Sequence, residues 1–405
     1  MEALQKKIVS VVLVMVLLVS VAAQIQKKPV FSGNEAQNPE SKAPEGNSLG
    51  TEQGTDEKEA YRQAKTDVIF WYDDASYDTF FTLAAEEYFK ETGIKVLPVY
   101  ESSAEYTTAV YDKTMQDDEY PDVYLISGDN LEEAYLYGLV AVNEAADSYD
   151  SAAKNAVAAS VYAGKMLGYP LNYNTCLFIY QNGYFEKTPD TMQDIIDYSN
   201  ENEPGENVEY LVEWDVNDAF YDFPFISNSV TFEKKKPQLL EVVYEEDVYQ
   251  QDLEFFEGLL SSFSVNARMV SEESILENFK EGRTLCAIID TDSLFRLEGC
   301  SYSLTKMPDL NEQLKTSVCA TTEMLVVNEF SEKQNQAADF AKFVTVSMAG
   351  ELHETSGHYS VFKSRDADMV EQIAYETYEE AVLAPNSQDA RDFWVGLKET
   401  IAKYF

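Results

Sequence analysis

From about Lys65 to its C-terminus the chain alternates short β-prone apolar runs with helical stripes, and this alternation restricts the fold more than any other feature. Asp67-Val-Ile-Phe-Trp-Tyr72 reads as a strand. Phe80, Phe81, Ala84, Ala85, Tyr88 and Phe89 then share one helical face, which Gly93 closes. Residues 94–100 read as a second strand, 120–126 as a third, and 130–137 as the helix after it. Strands alternating with helices imply an α/β layer fold with a mostly parallel sheet. At Gly168 the pattern changes: residues 169–180 form one long extended run, and Thr188-Pro-Asp-Thr191 is a helix-start signal, so a second α/β unit opens here. Further helical stripes cover 248–263, 337–344 and 390–401, with strands expected at 285–289 and 323–327.

With 405 residues, and roughly 150 per domain, two or three domains fit, each large enough for its own core. Against 30 Lys and Arg stand 72 Asp and Glu, a formal charge of −42, which excludes the basic footprint of a nucleic-acid binder. Only two histidines, His353 and His358, leave almost nothing for a three-histidine zinc site or a dispersed Ser-His-Asp set. Cys176, Cys286, Cys300 and Cys319 lack CxxC pairing; Cys286 and Cys300 are the pair that export could join, against the plainer reading of buried thiols.

The N-terminus runs from Lys6 and Lys7 through an apolar stretch to Ser20-Val-Ala-Ala23, the tripartite layout of a secretory signal with the cut expected after Ala23. Its apolar stretch, residues 8–23, is shorter than the ~20 residues that span a bilayer, which favours cleavage over a retained anchor. Cleavage would leave 28 basic against 71 acidic residues, so the acidity belongs to the exported part. The polar segment that follows, with almost nothing to bury, reads as a solvated tether over residues 24–64.

Several motifs fail their structural context. Gly46-Asn-Ser48-Leu-Gly50 matches a nucleophile elbow, but that chemistry needs a strand before the serine and a helix after it. His353-Glu-Thr-Ser-Gly-His358 is one residue too long for a zinc helix: the step puts the rings on different faces, and Gly357 would break the helix. No nucleotide-binding glycine pattern is present. Asp290-Thr-Asp292 and Asp73-Asp74 are carboxylate pairs that a glycosidase or a cation could use, although in so acidic a chain solvated loop carboxylates are the commoner outcome. The 27 Tyr and 22 Phe fill cores first, but aromatic faces beside carboxylates and amides are also what sugar sites are built from.

Over residues 66–405 the order of segments resembles the extracytoplasmic solute-binding proteins of ABC importers, in their maltose and maltodextrin cluster. Ala84-Ala-Glu-Glu-Tyr-Phe-Lys-Glu-Thr-Gly-Ile-Lys-Val96 is similar to the family's opening helix and turn. Pro121-Asp-Val-Tyr-Leu-Ile-Ser-Gly-Asp129 with Tyr137-Gly-Leu-Val-Ala-Val142 resembles its "PDV…D…GLL" segment, and Ala163-Gly-Lys-Met-Leu-Gly-Tyr-Pro170 with Leu177-Phe-Ile-Tyr180 the stretch that crosses between lobes. Asp218-Ala-Phe-Tyr-Asp-Phe-Pro224, Glu281-Gly-Arg-Thr-Leu-Cys-Ala287 and Pro385-Asn-Ser-Gln-Asp-Ala-Arg-Asp-Phe-Trp394 resemble segments of the second lobe. The chain departs from maltose binders at Ile126 and Ser293, where stacking tryptophans are common. It departs again at Asn174, a glutamate position, and in the turn Asp73-Asp-Ala-Ser76. The lipidation cysteine usual in Gram-positive members is absent from Val21-Ala-Ala-Gln24.

The resemblance implies an α/β, two-lobed periplasmic-binding-protein-like fold with a hinge and an interlobe ligand cleft. One lobe is expected from residues 65–174 plus 288–333 and the other from 175–287 plus 334–405. Carried over by position, the ligand contacts are Asp73, Asp129, Asn174, Asp218, Phe220 and Trp394, with the two rings as stacking faces. Trp394 also lies on the stripe of Phe393, Leu397 and Ile401, which by itself says core. The expected protein is a monomeric, non-enzymatic receptor outside the cytoplasm, with no cofactor, metal or catalytic residue. It would carry a small polar solute, an oligosaccharide, to an ABC permease and touch the membrane only through its N-terminal segment or that permease. The rival reading is an extracellular carbohydrate-active enzyme that uses the paired carboxylates.

Overall fold

The computed structural model describes residues 59–116, 119–202, 204–236, 239–263, 265, 267, 270–384 and 388–405. The secretion-signal-like segment, the Gly46–Gly50 pattern and most of the expected tether lie outside them.

Three parallel strands, β1 (Val68–Tyr72), β2 (Val96–Tyr100) and β3 (Val123–Ser127), stand in the order β2-β1-β3. Between β1 and β2, helix α1 (Asp78–Thr92) buries Phe80, Phe81, Ala84, Ala85 and Tyr88 and stops at Gly93, whose φ of 74° suits a residue without Cβ. The Asp of Pro121-Asp122-Val123 is scaffold. Buried, it accepts the Ile69 N–H at 2.8 Å and the Ser331 hydroxyl at 2.7 Å, with Lys333 Nζ at 3.3 Å, and so ties β1 to β3.

The long extended run is β4 (Tyr169–Gln181). Its first half, through Thr175, pairs antiparallel with β7 (Cys319–Val327); its second half, from Cys176, pairs antiparallel with β6 (Thr284–Asp290), which lies parallel to β5 (Tyr210–Glu213). The main path of the ten-stranded sheet is β2-β1-β3-β7-β4-β6-β5, with three short strands pairing off it. The sheet is therefore mixed rather than mostly parallel: β4 carries the chain out of the first lobe and β7 brings it back, so the two run in opposite directions. Gly168, just before β4, is required by contact, since a Cβ there would sit 2.2 Å from Met324 Sδ.

One core gathers Phe70, Phe80, Phe81, Tyr88 and Leu325, and another gathers Trp214, Phe223, Phe225, Phe256 and Leu310. A third, with Tyr173, Leu177, Ile179 and Tyr378, lies along β4. The expected partition of the lobes does not follow these cores. Met307, Leu310, Leu314 and Val318 pack in the second, whereas Phe340 and Ala341 of α5 (Gln334–Lys342), with Val344 and Leu352, return to the first. An amphipathic stripe looks the same whichever lobe it covers, so periodicity cannot assign it.

The folded part also begins earlier than expected. Residues 59–63 are helical; Tyr61 meets Phe89 edge-on at 5.5 Å and donates its hydroxyl to the Val96 carbonyl at 2.6 Å. A lone aromatic in a polar run gives no periodic signal. Cys286 does not pair with Cys300: Cys176, Cys286 and Cys319 are buried free thiols, and Cys300 is exposed and free. Among the described residues no helix is long and apolar enough to cross a membrane.

Candidate functional site

Where β4 and β7 cross between the lobes, they and the end of β6 floor a cavity of about 350 Å³. Its lining brings together Asp129, Asn174, Asp218, Phe220, Tyr221, Asp290, Thr321 and Trp394. Five of the six residues expected from sequence thus share one space. Asp73 does not line it; it is exposed in the turn after β1.

Local chemistry explains each position. Asp129 sits in the helical turn Gly128–Asn130 that follows β3. Asp218 caps the short helix α3 (Ala219–Asp222), its Oδ1 accepting the Phe220 N–H at 2.9 Å, which fixes Phe220 and Tyr221 at the cavity wall. Behind them the buried Trp214 indole donates to Asp222 Oδ1 at 3.0 Å. On α6 (Gln388–Ile401), Phe393, Leu397 and Ile401 are buried, while Trp394 is half-buried at the edge of that stripe, 5.6 Å edge-on from Phe223. Core and cavity readings of Trp394 both apply: it packs against the second core and lines the cavity.

Asn174 faces the same space with its polar atoms engaged. Its Nδ2 donates to Asp290 Oδ2 at 2.9 Å, and its Oδ1 accepts from Thr291 N at 3.1 Å and Thr291 Oγ1 at 2.8 Å. Asp290 Oδ1 accepts the Ser293 N–H at 2.9 Å. These bonds pin the middle of β4 to the end of β6, so Asn174 acts mainly as a staple.

Further along the floor lies a cluster that the sequence did not disclose. His358 Nδ1 meets Asp292 Oδ1 at 2.8 Å, and its Nε2 meets Ser76 Oγ at 2.7 Å. The imidazole stacks on Tyr77 at 4.2 Å, and the Tyr77 hydroxyl donates to Glu323 of β7. Asp292 is therefore not the solvated loop carboxylate the acidic composition suggested, and Ser76, Asp292 and His358 do form the alignment that two histidines seemed to preclude. Nothing near in sequence links these three positions; only the crossing strands unite them.

Burial pushes the Glu323 carboxyl up to about 7, with the charges of Asp292 and Asp74 adding to it and His358 and the Tyr77 hydroxyl working against it. Burial disfavours the charged imidazole, but the hydrogen bond it donates to Asp292 and the charges of Asp292, Glu323 and Asp74 outweigh it and raise His358. The Ser76 N–H is taken by Asp74 Oδ1 at 2.8 Å. The serine's own backbone N–H, of the kind a hydrolase aims at the substrate oxyanion, is thus already spent on a carboxylate.

Two lobes joined by antiparallel crossing strands, with a cavity at the junction, define a two-lobed binding protein. The sequence profile of the bacterial extracellular solute-binding proteins matches residues 84–380, and the chain belongs to that family. Similar folds include the extracellular solute-binding protein of Staphylococcus aureus in complex with maltose, at 16% identity and a TM-score of 0.70 over 84% of this chain and 93% of that one. A cyclo/maltodextrin-binding protein complexed with maltotetraose matches at 16% identity and 0.72 over 84% and 92%. The maltotriose-binding protein of Thermus thermophilus, bound to maltotriose, matches at 17% and 0.68 over 84% and 94%. At these identities the shared property is the fold. A sequence search of curated proteins finds no match. Family membership puts the chain outside the cytoplasm and among binding proteins rather than enzymes.

Proposed function

We propose that this protein captures an oligosaccharide in the interlobe cavity and delivers it to the permease of an ABC importer. The carrying observation is that Phe220 and Trp394, both half-buried, line the same cavity as Asp129, Asp218 and Asp290. Rings take the apolar faces of sugars while carboxylates accept their hydroxyl protons. The similar proteins solved with maltose, maltotriose and maltotetraose support the class of ligand. β4 and β7 serve as the hinge about which the lobes close. Catalysis by paired carboxylates is disfavoured, because Asp290 is bound by Asn174 and Ser293 and Asp292 by His358. The chain acts as a monomer outside the cytoplasm.

Thermal unfolding across a panel of neutral and amino-bearing oligosaccharides, with a parallel glycan-hydrolysis screen, tests the proposal. A receptor melts higher in the presence of its ligand, by about 2.7 kcal/mol at a hundredfold excess over Kd, and leaves the glycan intact. Hydrolysis of any glycan in the panel would favour the enzyme instead.

A further inference from the structure

We infer that the ligand carries a protonated amino group, so that the cavity selects an amino-oligosaccharide over a neutral one; this rests on the receptor reading above. Among the described residues the cavity lining holds three carboxylates, Asp129, Asp218 and Asp290, and no lysine, arginine or histidine. Asp129 is exposed and makes no hydrogen bond or ion pair among the described residues, and only one oxygen of Asp218 has a protein partner, the Phe220 N–H. Arg391, one turn before Trp394 on α6, is directed to Glu133 at 3.9 Å. The adjoining floor adds Asp292 and Glu323 and sets a single imidazole against them.

Tyr221 gives an independent sign of a ligand. It is only 6% exposed, lines the cavity, and its hydroxyl has no hydrogen-bond partner among the described residues. Its ring is buried while its hydroxyl is not among the buried polar atoms, so the hydroxyl is the accessible end of the side chain and is free to bond a guest in the cavity.

A neutral sugar's hydroxyls can hydrogen-bond to carboxylates, but they leave the charge in place as the lobes close and water departs, which is the costly way to bury an ion. An ammonium supplies three donors and the opposite charge at once. It is also attracted to the faces of Phe220 and Trp394, which the sugar ring beside it can stack upon. Rings without carboxylates would suit a neutral glycan, and carboxylates without rings a metal or polyamine. The two together fit a sugar that bears an amine.

Titration calorimetry at about pH 6 with the glucosamine tetramer, its fully N-acetylated counterpart and maltotetraose decides the matter, using the wild-type chain and the Asp129→Asn/Asp218→Asn double variant. Asparagine also caps helices, so the double variant keeps α3. The inference predicts that the amine tetramer binds at least tenfold more tightly than either neutral tetramer. That advantage should shrink at high salt and largely vanish in the double variant. Equal or tighter binding of a neutral tetramer overturns the inference and leaves the receptor intact. A preference that survives in the double variant overturns it too, since the overall negative charge would then be its source. Binding of none of the three, by a folded wild-type chain, overturns the receptor reading itself.

Discussion

On one side of Asp290 the carboxylate of Asp129, one oxygen of Asp218 and the Tyr221 hydroxyl stay open to the cavity beside the spent amide of Asn174, and on the other the polar groups are consumed by one another. The cavity side has Asp129 and the Tyr221 hydroxyl, neither with a partner among the described residues, and two half-buried rings in its lining. On the other side every polar group has a protein partner: Ser76, His358 and Asp292 in one line, Tyr77 and Glu323 in another. The residue types overlap, so type does not separate a binding group from a scaffold group. What separates them is whether the side chain's donors and acceptors are already spent.

The largest expected effect is on the consumed side. His358→Ala leaves Asp292 and Glu323 facing each other with no imidazole between them, and urea denaturation should show a loss of about 3 kcal/mol, as when one partner of a buried pair is removed. Affinity for whichever tetrasaccharide binds should stay within about twofold in the folded variant. A large loss of affinity with unchanged stability would merge the two sides into one site.

Next comes the pH dependence of the same cluster. Glu323 titrates near 7 in the folded chain, above its ordinary range, so its share of stability is present at about pH 4 and lost as pH rises through 7. His358, also raised, acts in the same direction: its share is full below its ordinary value and fades above it. Stability should therefore fall between about pH 5 and pH 8, and Glu323→Gln should recover about 2 kcal/mol at the upper end and almost nothing at the lower. A variant that parallels the wild type across that range would remove Glu323 from the account.

Smaller changes are expected on the open side. Trp394→Ala and Phe220→Ala should each weaken sugar binding at least tenfold, about 1.4 kcal/mol, in calorimetry. Each should cost less stability than the ~3–5 kcal/mol of a fully buried aromatic, because both rings are only half-buried. Smallest of all, Asp129→Asn should leave the unfolding midpoint within about 0.5 kcal/mol of wild type, as for a surface position without partners. Its effect should appear in binding alone.

Local rules made much of the fold legible. Gly93 marked the end of α1, Thr191 the start of the helix Met192–Glu201, which it opens in a capping box with Asp194, and the unbroken run 169–180 became the crossing strand. Long-range assembly was not legible. The return of α5 to the first lobe and the antiparallel entry of β7 depend on how the chain crosses between lobes, which no window of residues encodes. In the site, Asp129, Asn174, Asp218, Phe220 and Trp394 came from resemblance in ordered motifs, and the cavity does gather them. The Ser76–His358–Asp292 line had no such marker, since its three positions are drawn from separate turns, and a short acidic motif looked like solvent-facing charge. Tyr61 escaped notice because one ring in a polar stretch has no period.

The central claim, that the cleft floor divides into a binding side and a scaffold side, meets its most direct test in one paired experiment. Trp394→Ala and His358→Ala are each carried through urea denaturation and through titration with the glucosamine tetramer and maltotetraose. The account predicts a crossed result: Trp394→Ala loses at least tenfold in affinity for the bound sugar with a modest change in stability, while His358→Ala loses about 3 kcal/mol of stability and binds as the wild type does. The reverse pattern, or both variants losing both properties together, would contradict it.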